Sequence, residues 1–384
     1  MGSGRLPAPA ESVKTSGQLA LNRDRRYFLG VLTSLAGAVA RWVRPFSLVA
    51  VIACIGALTG PVQAALTDPV QAALTGPVQA DRAPQIRLAD ESNPLAGRPF
   101  YVDPISGAMR AAKNANPPSP ELTTIANTPQ AYWLDHAFPT GTVANTVSRY
   151  VGAAQAVGAM PVLAIYAIPN RDCGSFAAGG FASGSGYRQW IDAIASGLGS
   201  MPAAIILEPD AIAMADCLSP DQRAERFALL SYAADALSRD PAAVVYIDGG
   251  HSRWISAEKL AAGLNEVGVD RVRGFSLNTT NYYTTEEQIA YGEAVSAMTN
   301  GAHYVIDTSR NGAGPIEDSP LSWCNPAGRA LGVPPTTDTA GAHADAYLWV
   351  KRVGESDGSC NSGQPPAGQF VSQYAIELVR NAGQ

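Results

Sequence analysis

The sequence predicts an α/β domain whose parallel strands close, or nearly close, into a barrel with an active-site cleft at their carboxyl ends. Three observations predict it. From residue 93 onward, apolar β-type runs alternate with helical patterns, which argues for a parallel sheet with right-handed crossovers. Several of those runs are continuously apolar, as expected when both faces of a strand are buried. Polar residues also gather immediately after the runs, where barrels build their active sites.

The strand candidates, in order, are 100–102, 131–134, 161–166, 203–207, 243–247, 273–277, 303–306 and 346–350. Helical patterns lie between them. Ser219-Pro220 sets a cap residue before a proline at the first helical position, followed by Phe227, Leu230, Ala234 and Leu237 at helical spacing. Thr284 and Glu287 read as a capping box ahead of Ile289. Phe370, Tyr374 and Leu378 stack on one face of a final helix.

Ahead of this region, Arg25-Arg26-Tyr27-Phe28-Leu29 leads into an apolar run from Val31 to Ala40, and a second run follows from Ser47 to Leu58. Both fall short of the roughly 18 to 20 apolar residues that span a bilayer. With a small-residue site ending Val62-Gln63-Ala64, the pattern predicts an export signal; a retained segment would instead attach the chain to a membrane. An octapeptide, Ala-Leu-Thr-(Gly/Asp)-Pro-Val-Gln-Ala, then repeats at 57–64, 65–72 and 73–80. Proline in each unit disfavours a continuous helix, and the units are too short and few for a solenoid, so they read as a spacer. The expected organisation is therefore signal and spacer over 1–80, a linker over 81–92, and one globular domain over 93–384.

The chain has 384 residues, of which 46% are hydrophobic and 16% charged, a core-forming composition that excludes disorder. The net charge is −6, and no basic stripe follows residue 90, so nucleic acid is not an expected partner; a neutral polysaccharide is compatible. Cys54 falls in the signal, which leaves Cys173, Cys217, Cys324 and Cys360. An even set in an exported chain favours disulfides over metal ligation. Three pairings are open, and the pairing of sequence neighbours would contribute about 4 kcal/mol per loop. The histidines at 136, 251, 303 and 343 have no zinc-ligand spacing, so no metal is expected, nor any other cofactor.

The chemistry-bearing residues follow the strands. They are Tyr166 with Asn170-Arg171-Asp172, Glu208-Pro209-Asp210, Asp248-Gly249-Gly250-His251, Asn278, Asp307, and Lys351 with Glu355-Ser356-Asp357. Acetal hydrolysis needs one carboxyl that holds a proton and another that is charged. Asp172, Asp210, Asp248 and Asp357 are the candidates.

These segments carry a resemblance. Together with Asn93-Pro94, Asn278-Thr279-Thr280-Asn281-Tyr282, Ile306 through Gly312 and Trp323-Cys324-Asn325-Pro326, they are similar, in the same order, to the glycoside hydrolase family 6 cellulases. The likeness covers about residues 93–384. It implies a distorted barrel of about seven parallel strands that hydrolyses β-1,4-glucan with inversion and without metal. It further implies Asp210 as general acid, Asp172 as the carboxylate that raises its pKa, Asp357 as candidate base acting through water, and Asp248 in support, orienting His251 or tuning charge. Substrate contacts are expected from Trp133, Tyr166, Arg171, His251, Trp254, Asn278, Trp323, Lys351 and Glu355. The short stretch from Gly358 to Gly368 favours an open cleft and endo action. The reading is thus a secreted, monomeric endo-β-1,4-glucanase. An exo-acting cellobiohydrolase of the same family and a non-catalytic glucan-binding protein are the alternatives, separable by the products made from soluble cellulose.

Overall fold

The structure is a computed structural model that describes residues 92–316 and 321–383. The expected signal or anchor, the octapeptide spacer, Cys54 and all of the linker except Ser92 lie outside the described residues. Among the described residues no helix is long and apolar enough to cross a membrane.

Seven strands form one sheet in chain order: β1 (Tyr132–Leu134), β2 (Val162–Ile165), β3 (Ala203–Leu207), β4 (Ala243–Asp248), β5 (Gly274–Leu277), β6 (His303–Asp307) and β7 (Ala344–Leu348). Every adjacent pair is parallel. The crossovers carry α3 (Thr140–Ala156), α4 (Gly184–Leu198), α5 (Pro220–Leu237), α6 (Ala257–Val267) and α7 (Thr285–Met298). Two short helices, α1 (Gly107–Asn114) and α2 (Pro120–Ala126), precede β1, and α8 (Ser372–Asn381) ends the domain.

Side-chain alternation explains the uniformly apolar strands. One parity, including Leu163, Ile165, Ile205, Leu207, Val245, Ile247 and Phe275, packs on the helices. The opposite parity, including Ala164, Ala204, Ile206, Val244, Tyr246, Val305 and Leu348, forms a second cluster inside the curl with Leu95, Phe100 and Met160. Both faces are dry, so both positions are apolar. The edge strands meet through single contacts rather than a ladder. The Ala131 amide donates to the Trp349 carbonyl at 3.0 Å, and the Trp133 indole donates to the Val350 carbonyl at 2.8 Å.

Three expectations need correction. The run at 100–102 is no strand of the sheet; Phe100 makes an isolated bridge to Met160 and its ring joins the inner cluster. The last helix begins at Ser372, so Phe370 precedes it, although its ring still packs against the cluster that holds Leu378. Thr284 caps α7 by accepting from the Glu287 amide, but the Glu287 carboxylate bonds Arg253 and Ser252 instead of closing a capping box. The box does form at α5, between Ser219 and Gln222. The cysteines pair as 173 with 217 and 324 with 360.

Candidate active site

The inward parity of the strands turns from apolar to polar at the carboxyl ends. Tyr246 is followed by Asp248 on β4, Gly274 by Ser276 on β5 and Val305 by Asp307 on β6, all inside the curl. Beyond the strand ends the chain turns sharply through left-handed conformations at residues other than glycine: Asn170, Asp172 and Cys173 after β2, Glu208 and Asp210 after β3, Asn278 and Thr280 after β5. Such conformations are costly for ordinary side chains and cluster at functional sites.

Asp210 and Asp248 form the centre of one wall. Asp248 is fully buried, and its Oδ1 accepts the amides of Asp210 (2.9 Å) and Gly250 (3.0 Å) while Oδ2 accepts the Ser276 hydroxyl (2.8 Å). Among the described residues no hydrogen-bond donor reaches the Asp210 carboxyl. Burial first, then the charges of Asp248 and Asp172, push the Asp210 carboxyl well above the usual carboxylate range. Burial also raises Asp248, against the Asp210, Gly250 and Ser276 donors that stabilise its anion and that Asp210 lacks. Among the described residues Asp248 makes no hydrogen bond to His251; it accepts the backbone amide of Asp210 instead.

Asp172 stands on the loop after β2, half-buried, its Oδ2 accepting the Ala177 amide at 2.6 Å. Burial raises its pKa, against the Ala177 bond and the nearby Arg171. Arg171 is buried and uses its guanidinium on carbonyls of its own loop, those of Ala177 (2.9 Å) and Tyr166 (2.7 Å), while lying 4.5 Å over the Tyr166 ring. These bonds hold the loop's shape, and the charge of Arg171 favours the Asp172 anion.

A second wall, at the ends of β6 and β7, is cationic. Asp357 accepts from Arg310 (2.9 Å), the Asn325 amide (2.9 Å) and the Tyr282 hydroxyl (3.2 Å) on Oδ2, and from Lys351 (3.0 Å) on Oδ1. Burial alone would raise this carboxyl, but Arg310 and Lys351 hold it well below the usual range. Asp307 sits beneath, its carboxylate accepting the amides of Thr280, Ser309, Val350 and Lys351 and so tying three strand ends together. Asn278 belongs to the same framework: both its amide hydrogens go to carbonyls, of Tyr283 and Asp307, leaving no donor for a ligand. Glu355 pairs with Arg352 at 3.1 Å.

The aromatics line the rim. Trp254 and Trp323 are each 36% exposed, and Phe176 44%. Trp133 meets Tyr166 edge-on at 5.5 Å between centroids. His251 stacks on Tyr283 at 4.1 Å and lies 5.3 Å from Trp254; burial lowers its pKa to about 4, so the ring is neutral. Among the described residues no group of three or more metal-ligating side chains is assembled.

Sequence reasoning gave no role to Arg310, Tyr282 or Glu208, although all three lay in segments it named. Arg310 lay in a matched segment, but its partner is 47 positions away. Glu208, fully buried, accepts the amides of Ala167 and Ile168, and burial pushes it up to about 7.

The family model described as glycosyl hydrolases family 6 matches residues 92–382. Endoglucanase A of Cellulomonas fimi is 46% identical over 285 residues, 74% of this chain but 61% of that protein. Endoglucanase 1 of Streptomyces halstedii is 41% identical over 309 residues, 77% of this chain and 92% of that protein. The endoglucanase Cel6 of Mycobacterium tuberculosis, solved in complex with a methyl-cellobiosyl-thio-cellobioside, superposes with a TM-score of 0.76 at 73% identity, covering 76% of this chain and 100% of that one. With buried carboxyls of raised and of lowered pKa set at the ends of seven parallel strands, the chain belongs to glycosyl hydrolases family 6.

Proposed function

We propose that the protein is an endo-β-1,4-glucanase that hydrolyses glucan with inversion at the anomeric carbon. The observation that carries this reading is the Asp210 carboxyl, which among the described residues accepts no hydrogen bond and whose pKa is pushed up by burial and by the charges of Asp248 and Asp172. A protonated acid of this kind can give its proton to the departing glycosidic oxygen. The charges of Asp248 and Asp172 raise the proton affinity of Asp210.

The base role goes to Asp172. A base must accept a proton near working pH. Asp357, facing two cations with four donors on its oxygens, has little proton affinity. Asp172 has a raised pKa and one recorded donor, from Ala177, leaving an oxygen for water. Asp357 then anchors Lys351 and Arg310 at the cleft. Trp254 and Trp323 offer broad, part-exposed apolar plates that suit pyranose faces, as does Trp133 beside Tyr166, and His251 and Glu355 are further candidates for substrate contact.

Endo action is supported by relatives named endoglucanase at 41% and 46% identity, against 29% or less for the fungal proteins named as probable cellobiohydrolases. The two disulfides suit work outside the cytosol, where thiols stay oxidised. The deciding experiment is hydrolysis of soluble carboxymethylcellulose. Rapid viscosity loss with few reducing ends supports endo action; slow loss with mainly cellobiose means exo action, and no new reducing ends overturns the reading.

A further inference from the structure

The chain between β2 and Asp172 is gripped from both sides by two buried charged residues that touch no expected ligand. Glu208, at the end of β3, reaches across to the segment after β2, where its oxygens accept the Ala167 amide at 3.0 and 3.1 Å and the Ile168 amide at 3.0 Å. Arg226, on α5, takes the carbonyl side of that segment. Its Nη2 donates to Pro169 (3.3 Å) and Asn170 (2.6 Å), and its Nη1 donates to Ala211 (3.3 Å), the neighbour of Asp210. Glu208 is 0% and Arg226 2% exposed.

We propose that Glu208 and Arg226 are positioning residues, a clamp that fixes the Asp172 turn against the Asp210 turn. Buried ionised groups are costly unless their bonds are satisfied, and their charges would serve no purpose as packing. Here nearly every bond goes to backbone that leads into one of the two aspartates. The segment needs holding: Asn170, Asp172 and Cys173 on one side, and Glu208 and Asp210 on the other, all have positive φ and relax if released. The Cys173–Cys217 bridge ties the same loop to the same stretch after β3, but beyond Asp172, so it cannot set the path that leads up to it.

The inference rests on the hydrolase reading, and the test separates the two. Glu208→Gln keeps the shape but turns an amide donor toward backbone N–H groups. Arg226→Lys keeps the charge but loses the fork. Arg223→Gln, one turn earlier on the exposed face of α5, is the control. Cellopentaose hydrolysis is followed across the alkaline side of about 7, where Glu208 is charged. Moving the Asp172 charge away lets Asp210 lose its proton at lower pH. Both clamp variants should therefore lower kcat about tenfold with little change in KM, and bring the alkaline limb down by about one pH unit, a tenfold change in proton affinity. The control should match the parent.

A loss of kcat with an unmoved alkaline limb, or no loss, overturns the clamp. Should Glu208→Gln fail to fold, Arg226→Lys decides alone. If the parent protein does not cleave cellopentaose, the hydrolase reading fails. The clamp is then read from carbon NMR titration of the Asp210 carboxyl, whose midpoint must fall in both variants or the proposal is wrong.

Discussion

The backbone amide of Asp210 donates to the carboxylate of Asp248 at 2.9 Å, so the side chain whose pKa burial and Asp248 raise is positioned by that same Asp248. Placement and proton affinity come from one contact. Changing Asp248 therefore alters both where Asp210 stands and whether it is protonated.

Asp210→Asn removes the transferable proton and spares the shape. Its kcat on cellopentaose should fall by about 10² to 10⁴, the range for loss of a general acid, with oligosaccharide binding retained in calorimetry. Near-parental turnover would exclude Asp210 as the acid.

Inversion has its own readout. Proton NMR of fresh products should show the α-anomer first, equilibrating later with β. A β-first spectrum would mean retention and a covalent intermediate.

Asp172→Asn should abolish turnover at every pH if it is the base. As a modulator only, it would leave activity that merely shifts toward acid, because Asp210 would lose one charge that raises its pKa. The pH profile separates the roles.

Arg310→Met tests the cationic wall. Asp357 has a folded pKa below its unfolded value, so its contribution to stability is present above about 3.9 and is lost as pH falls through the folded value. The substitution should destabilise the domain by about 3 kcal/mol at neutral pH, as removing one partner of a buried pair does. The gap between parent and variant in denaturant melts should narrow below about pH 4.

Much of this was legible in the sequence. The strands were visible because a sheet buried on both faces leaves no polar position to break the run, and Asp172, Asp210, Asp248 and Asp357 stood out as acids directly after such runs. What each acid does was not legible, because it depends on donors brought from elsewhere in the chain. Asp248 faces the amide of Asp210 rather than His251, and Asp357 faces Arg310 from another strand end. Arg171 and Asn278 carried the right chemistry for a sugar, but local backbone claims their donors first. Phe100 read as a strand because an apolar plug and a short strand share one signature.

The unequal distribution of donors among the carboxylates gives the cleft a direction. Asp307 and Asp357, on the side of β6 and β7, each accept several donors, whereas Asp172 and Asp210, on the side of β2 and β3, are left underserved. Among the described residues only Asp357 of these four is paired by cations, Arg310 and Lys351, so the two sides differ in charge, to which an uncharged chain is nearly indifferent. Added salt should accordingly leave capture of a neutral polymer almost untouched, while a polyanion of the same length would feel the asymmetry.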